Sequence, residues 1–384
     1  MSAWLRVGCA SFVAASIVVA SAPVAYAADE VTLAASRPTI TIGQKTRLTG
    51  QISTGAAGET VTIRDQDGKV RGQDVTNSSG EYSVVLQPKQ NAVLQAEWST
   101  ATSPKVKIRV RPIVKVGLSN LHMFLPAPVR GTVRPAVSGT ILLKLMNNGR
   151  RVARKRTAVN DGRFRSKFRI MKPGSHRVVA VFDHETLAPR RSGSAPASAP
   201  LPGLSQGSRS VDVRGLEWRL RNLAYRLPGV NKAYDARTSD AIRAFNKVQG
   251  RARVGSVSES TWRALASPRR PKPRSKFPRY HIEVDQTKQV LYRVRRGRII
   301  TIVHVSTGAG GATRDGRFTF FRRVDGYSPN KLYYPVYFDG LRAIHGWPSV
   351  PTYPASHGCV RVPMWTAKWL SRKVDLGNKI FIYH

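Results

Sequence analysis

Ser356-His357-Gly358-Cys359-Val360-Arg361 sets a thiol, an imidazole and a glycine side by side, a combination suited to acyl transfer through a thioester. A thiol must lose its proton before it attacks a carbonyl, and a neighbouring histidine can help by ion pairing with the thiolate or by taking the proton itself. Two histidines are candidates: His345, in Ile344-His345-Gly346, and His357, two residues before Cys359. His345 ends an expected strand, a rigid place from which to hold a base, so it is expected to be the general base while His357 mainly shapes the site. Gly358 permits a sharp turn that would expose the sulfur and aim the Gly358 and Cys359 amides at a developing oxyanion. Ser356 shapes the same turn, and Arg361 is placed to anchor a substrate carboxylate or to stiffen the loop.

The other cysteine, Cys9, lies in a segment that reads as an export signal. Arg6 is its basic flank, Val7 to Ala22 its apolar run, and Ala25-Tyr26-Ala27 its small-residue cleavage site, giving residues 1–27 as a signal peptide. An uncleaved anchor is the alternative, but the run is short for a membrane span and Pro23 interrupts its end. A cleaved chain would keep Cys359 alone and form no internal disulfide. The expected location is therefore secreted, in the cell wall or periplasmic space.

The chain has 384 residues and 63 Lys and Arg against 22 Asp and Glu, a formal charge of +41. In a cytoplasmic protein such a balance points to nucleic acid. Export redirects it to anionic wall polymers and phospholipid headgroups, with no nucleic acid as partner. The basic residues read as spread over the whole chain, a pattern that a solvated surface also produces.

A hydrophobic content of 41% with 24 prolines and 31 glycines gives several packed, turn-rich domains. Residues 29–112 alternate apolar and polar positions between turn signals, as in Thr60-Val61-Thr62-Ile63 before Asp65-Gln66-Asp67-Gly68, and read as a β-sandwich. Gly50, Gly58 and Gly68 recur as Gly131, Gly139 and Gly149, and Gly80 as Gly162, so residues 113–186 read as a second copy. In that copy Arg163, Arg165, Lys167 and Arg169 alternate with Phe164, Phe168 and Ile170, which puts four cations on one strand face. That face suits either a polyanion or plain solvent. Residues 187–210 are rich in Pro, Ser, Ala and Gly and read as a linker. Helical spacing follows in Val213, Leu216, Leu220 and Leu223. A second helix is expected with Thr238 as N-cap, and a short third from Ser258, giving a three-helix domain at 211–266. Residues 267–276 form a stiff Pro-rich linker, and 277–384 a mostly β domain with one helix near Pro363 to Arg372. The fold class is thus multidomain and mainly β: two tandem β-sandwich modules, a small three-helix domain and a C-terminal mostly β catalytic domain.

Three resemblances attach to these patterns. The two sandwiches resemble immunoglobulin-like modules of exported bacterial proteins. Val211-Asp212-Val213-Arg214-Gly215-Leu216, Tyr234-Asp235-Ala236-Arg237-Thr238 and Thr261-Trp262-Arg263-Ala264-Leu265 resemble the three-helix peptidoglycan-binding domain. Ser306-Thr307-Gly308, Thr313-Arg314-Asp315-Gly316, Ala343-Ile344-His345-Gly346 and Ser356-His357-Gly358-Cys359 occur in the order of the L,D-transpeptidase catalytic domain. That last resemblance implies a β-sandwich-like enzyme, with His345 at the family's catalytic histidine, that cross-links peptidoglycan stem peptides through a Cys359 thioester. It implies no cofactor and no metal. Hydrolysis or D-amino-acid exchange at the same thioester, and a non-catalytic wall-binding scaffold, are the alternatives.

Overall fold

A computed structural model describes residues 29–384, so the expected signal peptide at 1–27 lies outside the described residues. The chain divides into two compact units, one ending at Val110 and one running from Arg111 to His384.

The first unit is a two-sheet sandwich. One sheet orders the strands Ala34–Ala35, Thr46–Gln51 and Glu81–Leu86; the other carries Thr39–Thr41, Val106–Arg111, Ala92–Trp98, Thr60–Asp65 and Val70–Val75. Alternation in each strand turns Leu48, Val61, Ile63, Leu94, Ala96 and Ile108 into the space between the sheets.

The second unit opens with another sandwich, and several of the recurring glycines are alike in surroundings or backbone. Gly50 and Gly131 both lie under an aromatic ring, Tyr82 and Phe164, whose atoms would sit 2.4 Å and 2.1 Å from an added Cβ. Gly80 and Gly162 both take left-handed backbone, at φ 73° and 66°. Gly58 and Gly139 do not correspond, since only Gly58 has a positive φ. Ser103 and Ser194, which the glycine spacing did not link, play one role: each hydroxyl accepts the N–H of a buried strand residue, Ala96 or Val178, and donates to the carbonyl of its own successor.

Residues 187–210 are not a plain linker. Leu187–Gly193 pairs antiparallel with Ser175–His184, and Ala197–Ser198 pairs with the start of that strand. Leu187 and Ala188 are buried there. Edge pairing supplies the backbone partners that this composition does not advertise. The charge is uneven too. Residues 111–198 hold 18 Lys and Arg against three Asp and Glu, whereas 29–110 hold ten against eight.

Helices α1 (Val211–Asn222), α2 (Ala236–Gln249) and α3 (Glu259–Ala266) make the helical module. The cap of α2 is Asp235, not Thr238: its Oδ1 accepts the Arg237 and Thr238 amides at 2.9 and 3.0 Å, which draws Thr238 into the first turn. The module packs on the second sandwich. Gly215 meets the Met123 carbonyl without room for a Cβ, Phe124 lies 5.9 Å from Trp262, and Arg169 stacks 3.8 Å above Trp218. Arg169 therefore leaves the exposed cationic face expected for it and donates to the Phe124 carbonyl.

In the C-terminal domain a five-stranded sheet orders Arg298–His304, Val290–Arg295, His281–Asp285, Lys379–Tyr383 and Gly316–Thr319. A four-stranded sheet orders Arg322–Arg323, Tyr333–Asp339, Arg342–Trp347 and Val360–Pro363. The core includes Ile282, Val284, Leu291, Val303, Phe320, Val336, Ile344, Val360, Val362 and Ile380, with Ala367 and Leu370 from α4 (Met364–Ser371). The end of the 267–276 linker is pinned, because the buried Glu283 carboxylate accepts the Arg274 and Ser275 amides. Burial opposes its charge, yet hydrogen bonds from His281 and these amides hold the carboxyl below its usual range.

Candidate active site

Two parallel strands build the site. Arg342–Trp347 and Val360–Pro363 pair with Ile344 opposite Val360 and His345 opposite Arg361. Parallel neighbours require a crossover, and the segment between them is that crossover, ending in Ser356-His357-Gly358-Cys359. Cys359 thus lies one step before the second strand, at the level of Ala343. Period-two alternation sends Ile344, Val360 and Val362 into the core and puts His345, Trp347 and Arg361 on the other face.

Hydrogen bonds fix the turn from both sides. Ser356 Oγ donates to the Cys359 carbonyl at 2.5 Å and accepts the Gly358 N–H at 3.1 Å. Thr313 Oγ1 donates to the Gly358 carbonyl at 2.9 Å and accepts the Gly308 N–H at 2.8 Å. Thr307 accepts the Ala355 and Ser356 amides on its carbonyl. Gly358 has φ 125°, where L side chains are strained, and an added Cβ would come within 2.9 Å of Arg342 Nε. The Gly358 amide, expected to face an oxyanion, is instead taken by Ser356.

Cys359 is half-buried, and its Sγ lies 3.8 Å from the Leu341 carbonyl. Burial pushes its pKa above the ordinary thiol value, against smaller opposing effects of the Ala343 amide, Arg342 and Arg361. Of the two ways a histidine can help, this direction favours proton uptake over a standing ion pair. His345 is 3% exposed, and its Nδ1 lies 2.9 Å from the Gly346 carbonyl. A carbonyl only accepts, so Nδ1 carries the proton and Nε2 keeps its lone pair. Burial lowers the His345 pKa, the Gly346 carbonyl partly opposes this, and Arg361 adds to the lowering. Burial and Arg361 both favour the neutral imidazole, whose unprotonated nitrogen is then Nε2. His357, by contrast, is exposed.

Arg361 does not stand free. Its guanidinium lies 5.3 Å from the Trp347 ring centre, and its backbone bridges to Ser306. The sequence motifs also missed Arg342 and Asp339. Arg342 Nε donates to the Ala312 carbonyl at 3.0 Å, and its guanidinium and that of Arg314 share the Asp339 carboxylate. Hydrogen bonds from Arg314, ahead of an opposing effect of burial, hold that carboxyl below its usual range. Asp339-Gly340-Leu341-Arg342 joins two antiparallel strands, and the pairing of the second of them with Val360–Pro363 sets it beside the Cys359 turn. Among the described residues no cluster of His, Cys, Asp and Glu is arranged to hold a metal.

Residues 279–382 match the YkuD family model, the L,D-transpeptidase catalytic domain. None of the curated proteins matches the chain. Among solved structures, the L,D-transpeptidase (residues 123–326) from Xylanimonas cellulosilytica DSM 15894 is 35% identical over 48% of this chain and 99% of its own, at a TM-score of 0.46. An L,D-transpeptidase from Stackebrandtia nassauensis is 26% identical over 47% of this chain and 95% of its own, at a TM-score of 0.30. The family-model match makes residues 279–382 an L,D-transpeptidase catalytic domain.

Proposed function

We propose that the protein is an exported L,D-transpeptidase that joins peptidoglycan stem peptides through a thioester on Cys359, with His345 as general base. The observation that carries this reading is the His345 side chain: Nδ1 is committed to the Gly346 carbonyl, and Nε2 is left basic one strand from the thiol. Cys359 attacks the carbonyl of an L-residue and its proton passes to His345. The tetrahedral intermediate collapses by breaking the C–N bond, and the proton moves on to the departing D-residue amine. A side-chain amine of a second stem then attacks the thioester, so that a new amide forms and the thiol returns. The Cys359 N–H is the oxyanion donor in this scheme, Ser356, Gly358 and Thr313 hold its turn, and burial, with a smaller effect of Arg361, favours neutral His345. His357 borders the turn and shapes the entrance.

Incubation of the protein without its leader with disaccharide-tetrapeptides, read by mass spectrometry, tests this. A cross-linked dimer is the expected product. A shortened stem would make the enzyme a hydrolase, and no turnover would make it a scaffold.

The second sandwich is proposed as the wall-holding part. On its three-stranded sheet, Lys115, Arg130, Arg163 and Arg165 surround a shallow groove of about 450 Å³ floored by Gly117 and Thr132. Arg130 and Arg165 are directly opposed across strands, a repulsive pair that an anion would relieve. Retention on insoluble wall should fall between low and high salt, because exposed attraction is screened within about 8 Å at physiological ionic strength. Changing Arg130, Arg163, Arg165 and Lys167 together to Ser should remove the salt-sensitive fraction. Unaltered retention would leave the face as solvated surface.

A further inference from the structure

The helical module does not hang from the catalytic domain by a tether. Tyr225 bridges to Ile302, adding a short extra pairing to the edge of the five-stranded sheet, and Arg226 stacks 4.0 Å from the Trp369 ring of α4. Asp240 of α2 accepts the Trp365 indole N–H at 2.9 Å. Deeper in, Lys247 of α2 is 3% exposed and reaches three acceptors: the Gln289 carbonyl at 2.9 Å, the Val305 carbonyl at 3.0 Å and His304 Nδ1 at 2.7 Å. His304 Nε2 donates in turn to the Val350 carbonyl at 2.9 Å. That donation leaves Nδ1 as an acceptor, so the three bonds call for the ammonium form, against burial, which pushes the Lys247 pKa down to about 6. Arg253, just past α2, donates to the Thr352 carbonyl at 2.6 Å and the Thr287 carbonyl at 2.7 Å.

Both contacts end in one place. Val350 and Thr352 belong to the crossover that delivers Ser356 to Cys359. Gln289 leads to the same turn by another route. Its side chain holds Thr307 through the amide at 2.8 Å and the hydroxyl at 2.7 Å, and the Thr307 carbonyl receives the Ala355 and Ser356 amides. A crossover with little regular structure of its own is thus held by Arg253 directly and by Lys247 through His304 and Gln289. We propose that Lys247 and Arg253 are positioning residues for the Cys359 turn, which makes the helical module part of the catalytic scaffold and not only a wall-binding accessory. The proposal rests on Cys359 being the nucleophile.

The test uses the protein lacking only its leader, a carbapenem as acylating probe, and the rate and final yield of the covalent adduct followed by intact mass. Arg253→Ala is the first variant because Arg253 is half-buried, and Arg253→Lys is its conservative partner, keeping the charge but losing the two-carbonyl fork. Misplacing a nucleophile lowers the maximal acylation rate without weakening probe binding, so Arg253→Ala should acylate about tenfold more slowly at an unchanged half-saturating concentration. The final adduct should still reach one per molecule, and Arg253→Lys should recover part of the rate. Lys247→Met should show the same pattern, with a larger fall in thermal midpoint. Wild-type rates in both Arg253→Ala and Lys247→Met, or a loss confined to final yield, would overturn the positioning role alone. Absence of any adduct on the wild-type protein would overturn the nucleophile reading first, and this inference with it.

Discussion

Cys359→Ala should abolish cross-linking and covalent adduct formation while leaving the fold intact. No second thiol exists among the described residues to take over the chemistry. The structural cost is small because Sγ is half-buried and gives up only the Leu341 carbonyl, at 3.8 Å, and the Ala343 amide. The Ser356 and Thr313 bonds that shape the turn go to backbone groups that alanine retains. The thermal midpoint should therefore stay close to wild type as turnover vanishes. An adduct that persists in this variant would move the nucleophile elsewhere.

His345→Gln should slow acylation at neutral pH by roughly a hundredfold or more, the usual contribution of a positioned base. The sign of its pH dependence follows from the two shifted groups. Burial lowers the His345 pKa, so the wild-type rate should hold its plateau below the ordinary histidine range and fall only as acid protonates Nε2. Burial raises the Cys359 pKa, so without a base the thiolate forms only in alkali. The rate of His345→Gln should accordingly climb with pH toward and beyond the ordinary thiol range, closing part of the gap. His357→Gln should change the rate far less, because the His357 side chain is exposed at the rim. The reverse order, with alkaline rescue in His357→Gln and normal acylation in His345→Gln, would exchange their roles.

The catalytic strip was readable in the sequence because its chemistry is local. Ser356, Gly358 and Cys359 lie within one turn, and a glycine before the one thiol among the described residues marks that turn. The base needed more. His345 lies on the strand that pairs parallel with Val360–Pro363, and that second strand is not announced by the sequence pattern. It is only four residues long and begins immediately after the turn that hides it. Arg342 and Asp339 were silent for the same reason, since a hairpin's local pattern does not say which loop it faces.

Other misreadings came from composition. Leu187–Gly193 looked like a linker because Pro, Ser, Ala and Gly dominate the segment, yet its two buried residues and an available sheet edge make it a strand. Arg169 matched the alternation of Arg163, Arg165 and Lys167, but Trp218 of α1 offers its guanidinium a stacking partner that the strand pattern cannot reveal. Nothing in the local sequence marks Lys247 of α2 as buried. Its burial depends on carbonyls contributed by Gln289 and Val305, more than forty residues away in sequence.

The most direct test of the thioester mechanism is the intact mass of the wild-type protein during turnover of a disaccharide-tetrapeptide donor, followed by peptide mapping. The account predicts a transient species heavier by the donor less its terminal D-residue, with the acyl group on Cys359 and its decay matched to the appearance of cross-linked product. Product accumulating with no such species, or with the acyl group on any other residue, would contradict it.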